Sequence, residues 1–176
     1  GYKEERLSDT LMGFIMFFLC MEIQDYTFGF AGINVLWEEL NGFPRDFHLA
    51  FAPTIYFYMC ALTQRDFLFH KKYLWHYLPF GIYFIFNLLI FAMGKSTVLL
   101  VEKFKYEWHL FGLEYILVYI SYTYYFVLSL RLFRTYRSWI ENYFSDIEAI
   151  NLQWLRNFIY LIIAGEVFRL IWHLID

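Results

Sequence analysis

The residues able to do chemistry in this sequence sit where charge is hardest to accommodate. Glu166 and Arg169 lie three residues apart, on one helical face, inside an apolar run from Trp154 to Asp176. Glu22 and Asp25 stand at the polar end of another apolar run, and Glu114 near the start of a third. A charged side chain at the centre of a bilayer costs roughly 3 kcal/mol or more, so such groups pair with one another or face a wet cavity. Three roles are open for this cluster. It can be a structural ion pair that sets helix register, with Arg169 pairing with Glu22, Asp25 or Glu166 and Glu114 joining them. It can line an outward-open cavity, where Arg169 holds an anionic headgroup or the acids hold a cation. It can also form part of a proton or ion route. Tyr115, Tyr119 and Tyr122 make a second set on one helical face, with Tyr124 and Tyr125 beside them. Their hydroxyls need partners in an apolar environment, so the expectation is core packing with interhelical hydrogen bonds rather than ligand contact.

Other chemistries have little to stand on. The five histidines show no metal-ligand spacing, and there is no His-Glu-x-x-His, no Cys-x-x-Cys and no glycine-rich phosphate loop. Gly94-Lys95-Ser96 lacks the lead-in that a nucleotide site needs. Ser121 and Ser129 have no recognisable nucleophile-and-base setting. Hence no metal, no cofactor and no catalytic residue is expected. Cys20 and Cys60 both fall in apolar runs, as free thiols in helix packing do.

Composition says what must surround these groups. Of 176 residues, 60% are hydrophobic and 25% aromatic, including 22 Phe and 16 Tyr, and only 18% are charged. A soluble domain of this size would expose large apolar patches with such a content. The expected fold is therefore all-α: a polytopic transmembrane helix bundle forming a single domain over residues 1–176, with the lipid bilayer as its first partner. A net charge of −3 argues against a nucleic-acid surface in this segment.

About five crossing helices are expected, over 11–30, 47–63, 77–93, 108–132 and 154–175. Lys3 to Arg6 reads as a charged lead-in, and Ser8-Asp9-Thr10 as a helix start. Ile33, Val35, Leu36 and Leu40 suggest a short interfacial helix. Pro53 predicts a kink in the second crossing, whereas Pro79 sits in a first turn, where proline is tolerated. Residues 64–76 and 94–107 read as connections. Alternate loops then gather Lys3, Arg6, Arg65, Lys71, Lys72, Arg131, Arg134, Arg137 and Arg156 on one side, against Arg45, Lys95, Lys103 and Lys105 on the other. Positive charge favours the cytoplasm, which places the N-terminus of this segment inside and Asp176 at the outer face. The six tryptophans (Trp37, Trp75, Trp108, Trp139, Trp154 and Trp172) fall near predicted helix ends, as an interfacial belt requires. By helical rise, Glu22 and Asp25 lie roughly 20–25 Å along their helix and Glu166 and Arg169 roughly 18–23 Å along theirs, at matched depth.

Three stretches resemble a bacterial family. Ala52-Pro53-Thr54-Ile55-Tyr56-Phe57-Tyr58 with Ala61-Leu62-Thr63 is similar to its Gly-Pro-x-x-Tyr-x-Tyr helix ending in Leu-Thr, with Ala52 in place of the glycine. His70-Lys71-Lys72 and Leu74-Trp75-His76-Tyr77-Leu78-Pro79-Phe80 resemble its Lys-rich linker and His-x-x-Pro helix start. Tyr143 to Arg156 resembles its Tyr-Ser-x-Ile-Glu-x-Ile-x-Leu-x-Trp-Leu signature. The family is the membrane-embedded N-terminal region of AraC-type helix-turn-helix transcription regulators, related to seven-helix sensor domains. The resemblance covers about residues 8–175. It implies a further helix at each end, then a cytoplasmic DNA-binding domain, so the chain is expected to be part of a longer protein that reaches DNA only through that domain.

The function so implied is non-enzymatic signal input in the bacterial inner membrane: a cue alters helix packing and hence a cytoplasmic output. The alternatives are a structural or accessory subunit of a larger membrane complex, or the input domain of a histidine kinase. Homodimers or membrane-complex partners fit each of these. If the charge cluster is structural, Arg169→Leu and Glu22→Gln should each lower the thermal unfolding temperature in detergent micelles; unchanged melting of both variants would remove that role.

Overall fold

A computed structural model of the chain describes residues 2–30, 43–64, 66–108, 110–143 and 153–175. Among these the structure is all-helical: α1 (Tyr2–Phe30), α2 (His48–Thr63), a 3-10 segment (Lys71–Tyr77), α3 (Leu78–Ala92), α4 (Lys95–Glu107), α5 (Leu110–Tyr143) and α6 (Gln153–Ile175).

The centre is α2. A helix that is apolar on every side has no solvent face to offer and is stable only when surrounded. The α2 sequence is of this kind, and ten of its sixteen residues, from Ala50 through Cys60, are buried. It packs against α1, α3, α5 and the 3-10 segment. Ile15 and Phe18 from α1, Val118, Tyr122 and Phe126 from α5 and Ile159 from α6 join the same core. Ring contacts show the directions. Phe18 stacks on Phe47 just ahead of α2, and Phe47 also meets Phe80 and Phe84 of α3. Phe57, lower on α2, meets Tyr73, His76 and Tyr77. So α3 runs antiparallel to α2. The remaining packed pairs are α3 with α4, α4 with α5, and α5 with α6.

Several boundaries differ from the sequence expectation. Residues 94–107 are not an open connection: Lys95–Glu107 is the helix α4. Lys, Glu and Leu are good helix formers, and Lys103 and Glu107 approach to 3.8 Å as an i,i+4 pair. What separates α3 from α4 is Gly94, whose φ of 99° is a left-handed value that glycine adopts without a side-chain clash. The third helix ends accordingly at Ala92. Lys3 to Arg6 is the first turn of α1 rather than a lead-in. The longest helix runs on to Tyr143, because no glycine or proline interrupts residues 113–143. Lys71–Tyr77, expected as connection, is 3-10 helix. Pro53 lies inside α2 and Pro79 in the first turn of α3. Both cysteines are free, Cys20 exposed and Cys60 buried. The expected interfacial helix at Ile33–Leu40 and most of the 142–156 segment lie outside the described residues.

Two helical runs among the described residues, Lys71–Ala92 and Gly112–Ile140, are long and apolar enough to cross a membrane. In the first, almost nothing is buried: Ile82, Ile85 and Leu89 are each about 60% exposed.

Ile55 is wholly buried in α2, and Leu89 is 60% exposed on α3. Ile55→Ala should therefore destabilise the fold by about 2–5 kcal/mol. Leu89→Ala should stay within about 0.5 kcal/mol of the parent. Melting in detergent micelles reads both.

Candidate functional site

The polar side chains that the structure brings together lie where α2, the 3-10 segment, α3 and α5 meet. Thr54, buried in α2, donates its hydroxyl hydrogen to the carbonyl of Ala50 at 2.7 Å. That hydrogen is spent, so the Tyr77 hydroxyl, 3.0 Å away, donates to the Thr54 oxygen. His76 Nδ1 lies 2.8 Å from the Tyr125 hydroxyl, with the two rings edge to face. At the other end of α2, His48 Nδ1 lies 3.3 Å from the Tyr122 hydroxyl, and its backbone N–H donates to Asp46. Three polar pairs thus tie α2 and the 3-10 segment ahead of α3 to each other and to α5. Each matches a hydroxyl to a partner at a part-buried position, where an unmade hydrogen bond is costly.

The sequence-derived site residues separate accordingly. Tyr122 is buried and bonded to His48, as a core tyrosine should be. Tyr119 has a buried hydroxyl with no hydrogen-bond partner, and Tyr115 is 41% exposed. Tyr125, three residues beyond Tyr122 along α5, is buried as well and pairs with His76. The Glu114 carboxylate is 2.6 Å from the Lys105 ammonium of α4. Lys105 also lies 5.7 Å from the centre of the Tyr83 ring. This ion pair was invisible while 94–107 read as a loop, since only a helix at α4 carries Lys105 to α5. Glu22 and Asp25 belong to α1, Glu166 and Arg169 to α6, and their side chains lie outside the described residues. Among the helix pairs, α1 packs on α2 and α6 on α5.

His48, His76, Thr54 and Tyr77 were missed from the sequence. The signal available was position: each histidine stands at the edge of an apolar helix, and α5 offers hydroxyls at helical spacing.

An apolar cleft of about 570 Å³ opens beside the His76–Tyr125 pair. Pro79, Ile82, Tyr83 and Phe86 of α3 form one wall, Leu117, Ile120, Ser121 and Tyr124 of α5 the other. A smaller cavity of about 160 Å³ lies at the start of α2, between Phe18, Arg45, Asp46 and His48. Among the described residues no three His, Cys, Asp or Glu side chains gather as metal ligands would. The larger cleft suits an elongated apolar molecule with one polar end. The chain matches no protein-family model, and neither a curated protein nor a solved structure matches it.

With side chains only 12% and 30% exposed, Lys105 and Glu114 depend on each other. Lys105→Met alone should cost about 1–3 kcal/mol by stranding the carboxylate, and Lys105→Met with Glu114→Gln should recover most of it. A double variant no more stable than the single one would deny the coupling.

Proposed function

We propose that this chain is a multi-pass, membrane-embedded signal-input domain of a bacterial transcription regulator, without catalytic activity of its own. It lies in the plasma membrane with its N-terminal end cytoplasmic, and its DNA-binding partner domain lies outside these residues. The observation that carries the membrane part is the inversion of side chains on α3 and α5. Apolar residues that do not line the cleft, such as Ile85, Leu89, Leu113 and Ile116, face outward, each more than half exposed, while the Thr54–Tyr77, His76–Tyr125 and His48–Tyr122 pairs form on the inner side. Water would favour the reverse; lipid favours this arrangement. Trp75, Trp108, Trp139 and Trp154 are exposed at or near helix ends, which agrees with an interfacial belt.

The signalling part is supported by the resemblance to AraC-type regulators and by what its residues do. Ala52 to Tyr58 of the first stretch form the buried middle of α2, with Tyr56 alone partly exposed. His76 and Tyr77 of the second make two of the three polar ties at the α2–α3–α5 junction. A cue that changes helix packing acts on such ties because a buried hydroxyl and its partner separate only at a cost of about 1–3 kcal/mol. Lys71, Lys72, Arg131, Arg134 and Arg137, all exposed, mark the cytoplasmic face.

Two measurements test this. Reporter fusions after Gln64 and after Asn142 should be active only with a cytoplasmic reporter, and a fusion after Gly94 only with an exported one. With the full-length protein and a target promoter, Tyr125→Phe should shift reporter expression at unchanged protein level. Cytoplasmic activity at all three fusion sites sinks the membrane topology. A promoter indifferent to Tyr125→Phe and His76→Gln sinks the signalling role.

A further inference from the structure

We propose that the cleft between α3 and α5 binds a single-chain anionic amphiphile, a long-chain carboxylate, with its headgroup at the His76 end. This rests on the membrane-embedded reading above, because the ligand enters sideways from the bilayer, but it names a site and a ligand class that reading leaves open. A volume of about 570 Å³ with mainly apolar walls is of the size and character of a small-molecule site. From His76 to Phe86 the helical rise alone gives about 15 Å of wall, enough for an extended tail lying along α3.

Polarity gives the ligand a direction. His76 and Tyr125 lie at one end, with Tyr124 beside them and Ser121 one helical turn away on α5. His76 Nδ1 is held by the Tyr125 hydroxyl, which leaves Nε2 as the ring nitrogen for an incoming oxygen. Lys71 and Lys72 are exposed on the same 3-10 segment as His76 and add positive charge to that segment. No carboxylate lines the cleft. Towards the other end Tyr83 stands below the ammonium of Lys105, whose charge Glu114 already balances. An anion is therefore favoured at His76 and gains nothing at the far end. The cleft has two helical walls with Leu49 of α2 between them, so it takes one tail; the second tail of a phospholipid would find no wall.

The test uses the whole chain in nanodiscs of zwitterionic phosphatidylcholine, with the fluorescent fatty acid cis-parinarate as probe. Saturable binding is expected, with dodecanoate displacing the probe about tenfold more effectively than dodecanol. Ile120→Trp plugs the cleft at a side chain that is 61% exposed, and Ile85→Trp adds the same bulk at an α3 position, 58% exposed, that does not line it. Ile120→Trp should weaken binding by about tenfold or more while Ile85→Trp leaves it intact. Melting curves show that both variants fold. Partition without saturation, equal displacement by the alcohol, displacement by a two-tailed anionic phospholipid alone, or equal binding by the two tryptophan variants would each overturn the proposal. Failure here leaves the reporter-fusion topology standing, and an unresponsive promoter leaves the binding standing, so the two ideas fall separately.

Discussion

Everything in this molecule depends on keeping α2 surrounded. The helix is apolar on all sides and carries a proline and a threonine at its buried middle. It has no face to give to a polar medium, so the other elements are arranged as its cover. The small side chains of Ala50 and Ala52 allow neighbouring backbones to come close. The threonine is tolerated because its hydrogen goes to the Ala50 carbonyl and its oxygen accepts from Tyr77. Remove that acceptor chain and a buried hydroxyl is stranded, which is the expensive outcome in any apolar core.

The same constraint explains the placing of His48 and His76. Each stands at an edge of α2 or α3 with a ring nitrogen close to a tyrosine hydroxyl. Tyr122 and Tyr125 of α5 supply the matching hydroxyls, so α5 serves both as a wall of the core and as a rack of donors and acceptors. The outer surfaces follow the opposite rule. Along α3 the exposed side chains are all apolar, mostly isoleucine, leucine and phenylalanine. The apolar cleft lies between residues of α3 and α5 beside the His76–Tyr125 contact.

Much of the helical order was legible in advance because apolar run length is a strong signal. The cores of α2 and α3 lie within one residue of where the run lengths put them, and Pro79 marked the first turn of α3. The extra helix α4 was not legible, because its mixed charge looks like a loop until Gly94 is seen to reverse the chain and lay Lys105 against Glu114. The full length of α5 was hidden by its arginines, which end an apolar run without ending a helix. Among the tyrosines that share a face by spacing, Tyr122 is buried and close to His48. Tyr119 and Tyr115 share that spacing but not its environment, since at about 3.6 residues per turn positions three and four apart are offset round the axis and meet different neighbours as the helix rises.

The sequence by itself determined that this is a helical protein rich in exposed apolar surface, with its ionisable groups sparse and placed at particular turns. Those properties are local: they follow from composition and period, which no distant contact alters. Which group meets which was decided only by the tertiary structure. His76 and Tyr125 are 49 residues apart, His48 and Tyr122 74 apart, and no local rule brings such pairs together. They meet because α2 must be covered on every side, and the helices that cover it have to bring their hydroxyls to its polar edges.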